Sequence, residues 1–547
     1  MPLAERCEAK SVEHGRRQSI CGALLVALVV LTFCLDFAHG IMLGQDRIGF
    51  HPIYRFRQAL AIAISRMHEP PLHGYLAYQS VVDVFNENGF AIFDNEKGRH
   101  LDRDGWTALL NDTARLDHTI RAAHDVAVDP TLPPQLVLGN ELAYADYVYL
   151  GFRLFGLRIS SQYYLYFLLL GISCALFIAQ FRASHFLMFL LTSYLAGLFF
   201  LQNYAQSWGN EVATLANSRL FEALSLLPAI HLFLLVWMRA PPTLAVVAGG
   251  LLQSALLAFI VDCRITGRWQ VAMIVAAGFG LFIAGIWKRR SLRSAGRREA
   301  WNGVWAACLA VAAIGLHMAF ITFDADRRYG AEPRYHIVWH EVLRGLLSTS
   351  VELQHEYLGR PLSGAIQDTD AYDAVMYDLN RRKDRSSPIS RMQDGKIVID
   401  VSGGWYEYEQ MARGLAVEIA IEHPGEVLMG FGSKWAMQAM AYTPRNAMVP
   451  GNLIIAALIT AVGGILWLSS GGLMTSARAL ASGAGAGVIV LGFAAVPPLV
   501  VPSHLSVGTL LSYLIALAVL LAVLIALLAT AALKLYARAS GASEARV

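Results

Sequence analysis

Apolar residues in this chain neither line one helical face nor alternate as in a half-buried strand; they run on without interruption. From Ile20 to Leu35 there is no charged residue, and similar runs recur near 161–180, 185–202, 219–238, 243–262, 270–287, 304–322, 451–469, 482–501 and 507–533. Crossing ~30 Å of hydrocarbon at ~1.5 Å per residue takes about 20 residues, so the pattern predicts about ten transmembrane helices. Two long polar stretches, 38–160 and 323–450, separate these runs. The first carries QSVVDVFNENGFAIF and a Pro-rich DPTLPP turn. In the second, helical periodicity carries Trp339, Trp405, Tyr406 and Tyr408, and DGKIVID reads as a short strand or hairpin edge before a helix from about Tyr408 to Ile421. The predicted fold is an all-α polytopic membrane protein with two mostly helical extracytoplasmic loop regions.

Composition agrees with that class: of 547 residues, 56% are hydrophobic and 16% charged, and the mean hydropathy is +0.46, far from a soluble domain. Charge orients the chain. Lys10, Arg16, Arg17, Arg182, Arg239, the KRRSLRSAGRR run from Lys288 to Arg298, Lys534 and Arg538 all fall on one side when the spans are threaded. Basic residues favour the cytoplasmic side. The expected layout is a cytoplasmic tail (1–18), a first span (19–37), a first extracytoplasmic loop (38–160), six spans (161–322), a second such loop (323–450), three spans (451–535) and a cytoplasmic tail (536–547), in an inner membrane. The first span could end in a signal peptidase site at Ala38, His39 and Gly40, but it is read as a retained anchor. All six cysteines lie outside the two loops, which removes disulfides and cysteine-based zinc sites from them.

Several chemistries have no foothold: GxxxxGK[ST], GxGxxG after a strand, HExxH and GxSxG are all absent. The glycines of ASGAGAG, Ala481 to Gly487, fall inside an apolar run, where they allow close helix packing. The mixed-charge run from Arg381 to Arg391 reads as a solvated loop, and nucleic acid is not a partner on that face.

What remains is polar chemistry at the outer interface. Asp36 and Asp46 precede Arg47, His51, Arg55 and Arg57. Cations there can hold a lipid-linked phosphate, and a carboxylate can take a proton from an attacking hydroxyl. The same residues could equally form a solvated collar. Glu141 and Asp146 fall on an interfacial helix beside Tyr144, Tyr147 and Tyr149, either as part of an aromatic anchor or facing a cleft. Arg219 either holds phosphate or pairs with Glu222 at i,i+3, and Lys434 could act from the late loop. In RYHIVWHEVLRGL, residues 334–346, His336 and His340 share a helical face. They could bridge loops, line a cleft or bind metal. A closed zinc site would need His355, Glu341, Asp368 or Asp370 to join them.

One large loop directly after the first span, with acidic residues near its start, resembles the GT-C membrane glycosyltransferases. ELAYADYVYLGFRLFGLRISS (Glu141–Ser161) resembles their segment before the second span. HPGEVLMGFGSKW (His423–Trp435) is similar to the helix that returns their late loop to the bilayer. RYHIVWHEVLRGL with DTDAYDAV (Asp368–Val375) resembles a string in uncharacterised bacterial members. The adjacent acidic pair of the protein mannosyltransferases is missing, Asp36 and Asp46 standing ten residues apart. The resemblance implies transfer of a sugar from a polyprenyl-phosphate donor to a cell-envelope glycan, lipid or protein acceptor. It implies Asp46 as general base with Asp36 as runner-up, and Arg55, Arg57 and Arg219 on the phosphate. Glu141, Asp146, His336, His340 and Lys434 would line the substrate cleft. No resident metal or cofactor is implied, a divalent cation being the one assistant left open. Two other classes stay open: an O-antigen polymerase or ligase, and a non-enzymatic carrier or assembly protein.

Overall fold

The structure, a computed structural model, describes residues 3–46, 54–67, 79–90, 93–94, 99–100, 108–127, 143–158, 160–207, 220–264, 267–289, 302–324, 339–348, 350–361, 368–383, 387–399, 405–428, 450–470 and 507–539. Helix makes up about 88% of them. The polar first loop contributes α2 (Tyr54–Met67), α3 (Gln79–Phe85), α4 (Thr113–Ala127), α5 (Ala143–Phe155) and a two-residue ladder of β1 (Phe93–Asp94) with β2 (Arg99–His100).

The apolar runs form α1 (Leu3–Asp46), α6 (Ser160–Phe181), α7 (His185–Ser207), α8 (Leu220–Trp237), α9 (Leu244–Cys263), α10 (Arg268–Arg289), α11 (Val304–Asp324), α16 (Pro450–Ser469) and α17 (Val507–Ala539). Four are long and apolar enough to cross a membrane: Gln18–Gly40 within α1, together with α6, α8 and α9. Apolar portions of α7, α10, α11 and α16 are shorter, and the run at 482–501 lies outside the described residues. These apolar helices make this a membrane protein with a lipid bilayer as its surroundings.

The bundle is built around α8, which is buried along its whole length up to Trp237. A helix apolar on every face has no preferred side to show to lipid, and it settles in the centre. Helices α6, α7, α9, α10, α11 and α17 pack around it or its neighbours. Gly197 of α7 lets α17 approach closely, since a Cβ there would come within 2.6 Å of the Leu511 methyl and that side chain would have to shift. Helices α2 and α5 pack on each other and join the same core through Ala59–Ile64 and through Tyr144, Tyr147 and Phe152. Gly156 ends α5 in the left-handed region at φ +87°.

The late loop forms a unit with its own core. It comprises α12 (Trp339–Leu347), α13 (Val351–Leu358), α14 (Asp368–Arg382), the hairpin of β3 (Ser390–Gln393) with β4 (Lys396–Ile399), and α15 (Trp405–Glu422). Leu343, Leu347, Tyr357, Val375, Tyr408, Leu415 and Ile419 fill the interior. Asp394 and Gly395 both have positive φ, the mirror-image turn that suits the strand twist of a two-residue hairpin. Arg381 and Arg382, read as part of a solvated loop, instead end α14 and pair with Asp378 and Glu418.

Candidate functional site

Backbone contacts fix which helix ends lie together. Tyr166 of α6 donates to the Leu220 carbonyl at 3.2 Å and Tyr194 of α7 to that of Ala223 at 2.8 Å, so both meet the start of α8. Cys263 at the end of α9 donates to the Ala143 carbonyl at 3.3 Å, and Tyr147 packs edge-on to Phe221 at 4.6 Å. This is the loop-bearing end of the bundle, and a layer of ionisable groups sits in it.

Two buried carboxylates organise the layer. Glu222, in the first turn of α8, meets Arg264 at 3.4 Å, and Gln270 of α10 donates to the Glu222 carbonyl at 3.0 Å. Asp262, with its side chain 2% exposed, meets Arg268 at 3.2 Å and His317 Nδ1 of α11 at 2.6 Å. The two acids have opposite local needs. A helix N-terminus favours Glu222, whereas Asp262 is in the last turn of α9, where the macrodipole opposes an anion. Asp262 therefore leans on the Arg268 guanidinium and on its contact with the His317 ring. Phe259 packs edge-on to the His317 ring at 5.9 Å and holds it in place.

Asp146 in the first turn of α5 pairs with Arg66 of α2, whose guanidinium also stands over the Tyr149 ring at 5.3 Å. The sequence placed Asp146 on an interfacial helix beside tyrosines, but its cation is 80 residues away.

Asp36 differs from the expected rim carboxylate beside cations. Helix α1 does not end near residue 37 but continues to Asp46, so Asp36 lies within the span, fully buried. Tyr166 and Cys174 of α6 and Tyr194 of α7 are near enough to feel its charge. Asp46 is the last residue of α1 and Arg55 stands in the first turn of α2, with Arg57 next on it; none of the three side chains belongs to the described part. Glu141, Arg219, His336 and Lys434 lie outside the described residues.

His340 is buried inside the late-loop unit, and this corrects its expected place on a cleft surface. Its Nδ1 is 2.6 Å from the Tyr408 hydroxyl, and its ring packs against Tyr372 at 4.9 Å. Burial pushes the Tyr408 phenol well above its ordinary range. The phenol therefore keeps its proton, and which of the two groups donates follows the imidazole tautomer. Glu409 accepts from the backbone N–H groups of Trp339 at 2.8 Å and His340 at 3.1 Å, capping α12 from α15. Glu356, Glu422 and His423 hold ligand atoms within 4.8 Å of one another, on the exposed side of the unit.

Sequence reasoning missed the Asp262 cluster, although its signal was present: Asp262, Arg264 and Arg268 interrupt the otherwise apolar stretch joining two spans. Comparison of the chain with protein-family models, curated proteins and solved structures finds no match.

Proposed function

We propose that this protein is a GT-C-type glycosyltransferase that moves a sugar from a polyprenyl-phosphate donor to an extracytoplasmic cell-envelope acceptor. In this reading about ten helices span a bacterial inner membrane, both termini are cytoplasmic, and both large loops lie outside. The acceptor hydroxyl attacks the anomeric carbon while Asp46 takes its proton; the carbon–oxygen bond to phosphate breaks, and polyprenyl phosphate leaves. Arg55, Arg57 and Arg219 hold that phosphate.

The observation carrying the proposal is the run of α1. Asp46 ends the helix six residues beyond Gly40, where the apolar window stops, or ~9 Å further along the axis. That distance suits a carboxylate working at headgroup depth. Asp36, ten residues earlier and enclosed, has no open path to a hydroxyl. Asp46→Asn is expected to abolish transfer in membranes supplied with radiolabelled polyprenyl-phosphate sugars while membrane yield stays normal. Undiminished transfer would remove Asp46 from the chemistry.

A second reading, a carrier for such lipids, is favoured by Asp36, a buried ionisable group within the first spanning helix. Reconstituted vesicles distinguish the two. A carrier moves the lipid-linked sugar across the bilayer without making a glycosylated acceptor.

A further inference from the structure

Asp36 is the buried carboxyl in the bundle to which the described structure gives no counterpart. Neither of its oxygens has a hydrogen-bond partner among the described residues, and the side chain is entirely enclosed. The donors around it are committed elsewhere. Tyr166 donates to the Leu220 carbonyl, Tyr194 to that of Ala223, and Thr32, one turn earlier on α1, to that of Leu28. Cys174 is the other titratable group near it on α6, and α16, which also packs on α1, carries no titratable side chain. His39, the next ionisable residue on α1, packs its ring at a tilt against Phe199 at 4.9 Å. Asp262 and Glu222, equally buried, are each met by cations.

A bare carboxylate in an apolar interior forfeits its hydration and gains nothing in exchange. A small cation must therefore accompany it. Helices α6 and α7 pack on α1 around it, and a proton is the cation that needs no shell of coordinating oxygens. We propose that the Asp36 pocket is a proton-binding site between α1, α6 and α7, occupied while these helices are packed as they are here. Releasing the proton exposes a charge that only water or a partner can satisfy, so deprotonation and separation of α1 from α6 and α7 are coupled. The site is independent of whether Asp46 performs sugar transfer.

The test is infrared difference spectroscopy on the full chain in lipid nanodiscs, with carbon-13 aspartate as the assignment label. At neutral pH a protonated-carboxyl C=O stretch is expected that shifts with the label and vanishes completely in Asp36→Asn. A spectrum unchanged by Asp36→Asn, or a label-sensitive carboxylate band that the variant removes, overturns the proposal. The thermal melt provides a second readout. Asparagine mimics the protonated acid, so Asp36→Asn is expected to melt within a few degrees of the parent at neutral pH and to lose its sensitivity to alkali. A large drop, or stabilisation of the parent by sodium that the variant abolishes, means that a charged partner or a metal cation holds the carboxylate instead.

Discussion

Replacing Glu409 by alanine removes a cap that comes from outside the helix it serves. Helix α12 is 9 residues long, too short to persist alone in water, and its first N–H groups have no partner within the helix. Glu409 reaches across from α15 and accepts from two of them, at 2.8 and 3.1 Å. It is 8% exposed, so water screens little of the interaction. Each of the two hydrogen bonds to a charged acceptor contributes ~1.5–3 kcal/mol, and an anion at a helix N-terminus ~0.3–1 kcal/mol more. Relaxation of the site recovers some of that sum, which leaves a net loss of about 2–4 kcal/mol for Glu409→Ala. At 1.36 kcal/mol per factor of ten, local opening of α12 becomes about 30- to 1,000-fold more frequent. Hydrogen exchange followed by mass spectrometry on the purified protein reads this directly, in peptides spanning 339–347. Glu409→Gln keeps one acceptor without the charge and is expected to fall between the parent and alanine. If α12 amides exchange in Glu409→Ala as slowly as in the parent, the cross-helix cap is not what holds the segment.

Asp262→Asn should lower the detergent melting temperature by the equivalent of about 1–3 kcal/mol, less than a fully buried pair would lose because Arg268 is 31% exposed. Adding His317→Gln to that variant should then cost little further; losses that simply add would show that the two side chains do not act together. Single cysteines at Asp117 and Lys396, in α4 and β4, should react with a membrane-impermeant maleimide from the same side of intact cells, and modification from opposite sides would break the arrangement of the two loops.

Local features were legible in the chain because their causes are local. Uninterrupted apolar runs point to the spanning helices, and DGKIVID, read as a short strand or hairpin edge, holds the turn and β4, whereas β3 begins inside the run read as a solvated loop. The helix expected from about Tyr408 runs as Trp405–Glu422. The expected first span, 19–37, lies inside α1, which runs past Asp36 to Asp46. One acid does not stop a helix, and Ile41, Met42 and Leu43 carry it onward. What spacing cannot reveal is partnership across the fold. His340 was paired in sequence with His336, four residues away, yet its hydrogen bond goes to Tyr408, 68 residues on. Asp262 and His317 are 55 residues apart, and nothing in either local window points to the other.

The distribution of charge in the bundle bears on where chemistry can occur. Charged groups inside apolar helices are costly unless each is met by a counterpart, and Glu222 with Arg264, and Asp262 with Arg268 and His317, are so met. These contacts join α8 to the segment following α9, and α9 to α10 and α11, all at the end where α5 and the first loop attach. Already paired, they have little left to offer a substrate, and their effect is to fix the register of four helices beneath the loops. A reaction centre is then better sought above this layer, among groups such as Asp46 that stand beyond the apolar window, than within it. Asp36 fits neither description: it lies within the helices like the paired acids, yet it has no described cation opposite it.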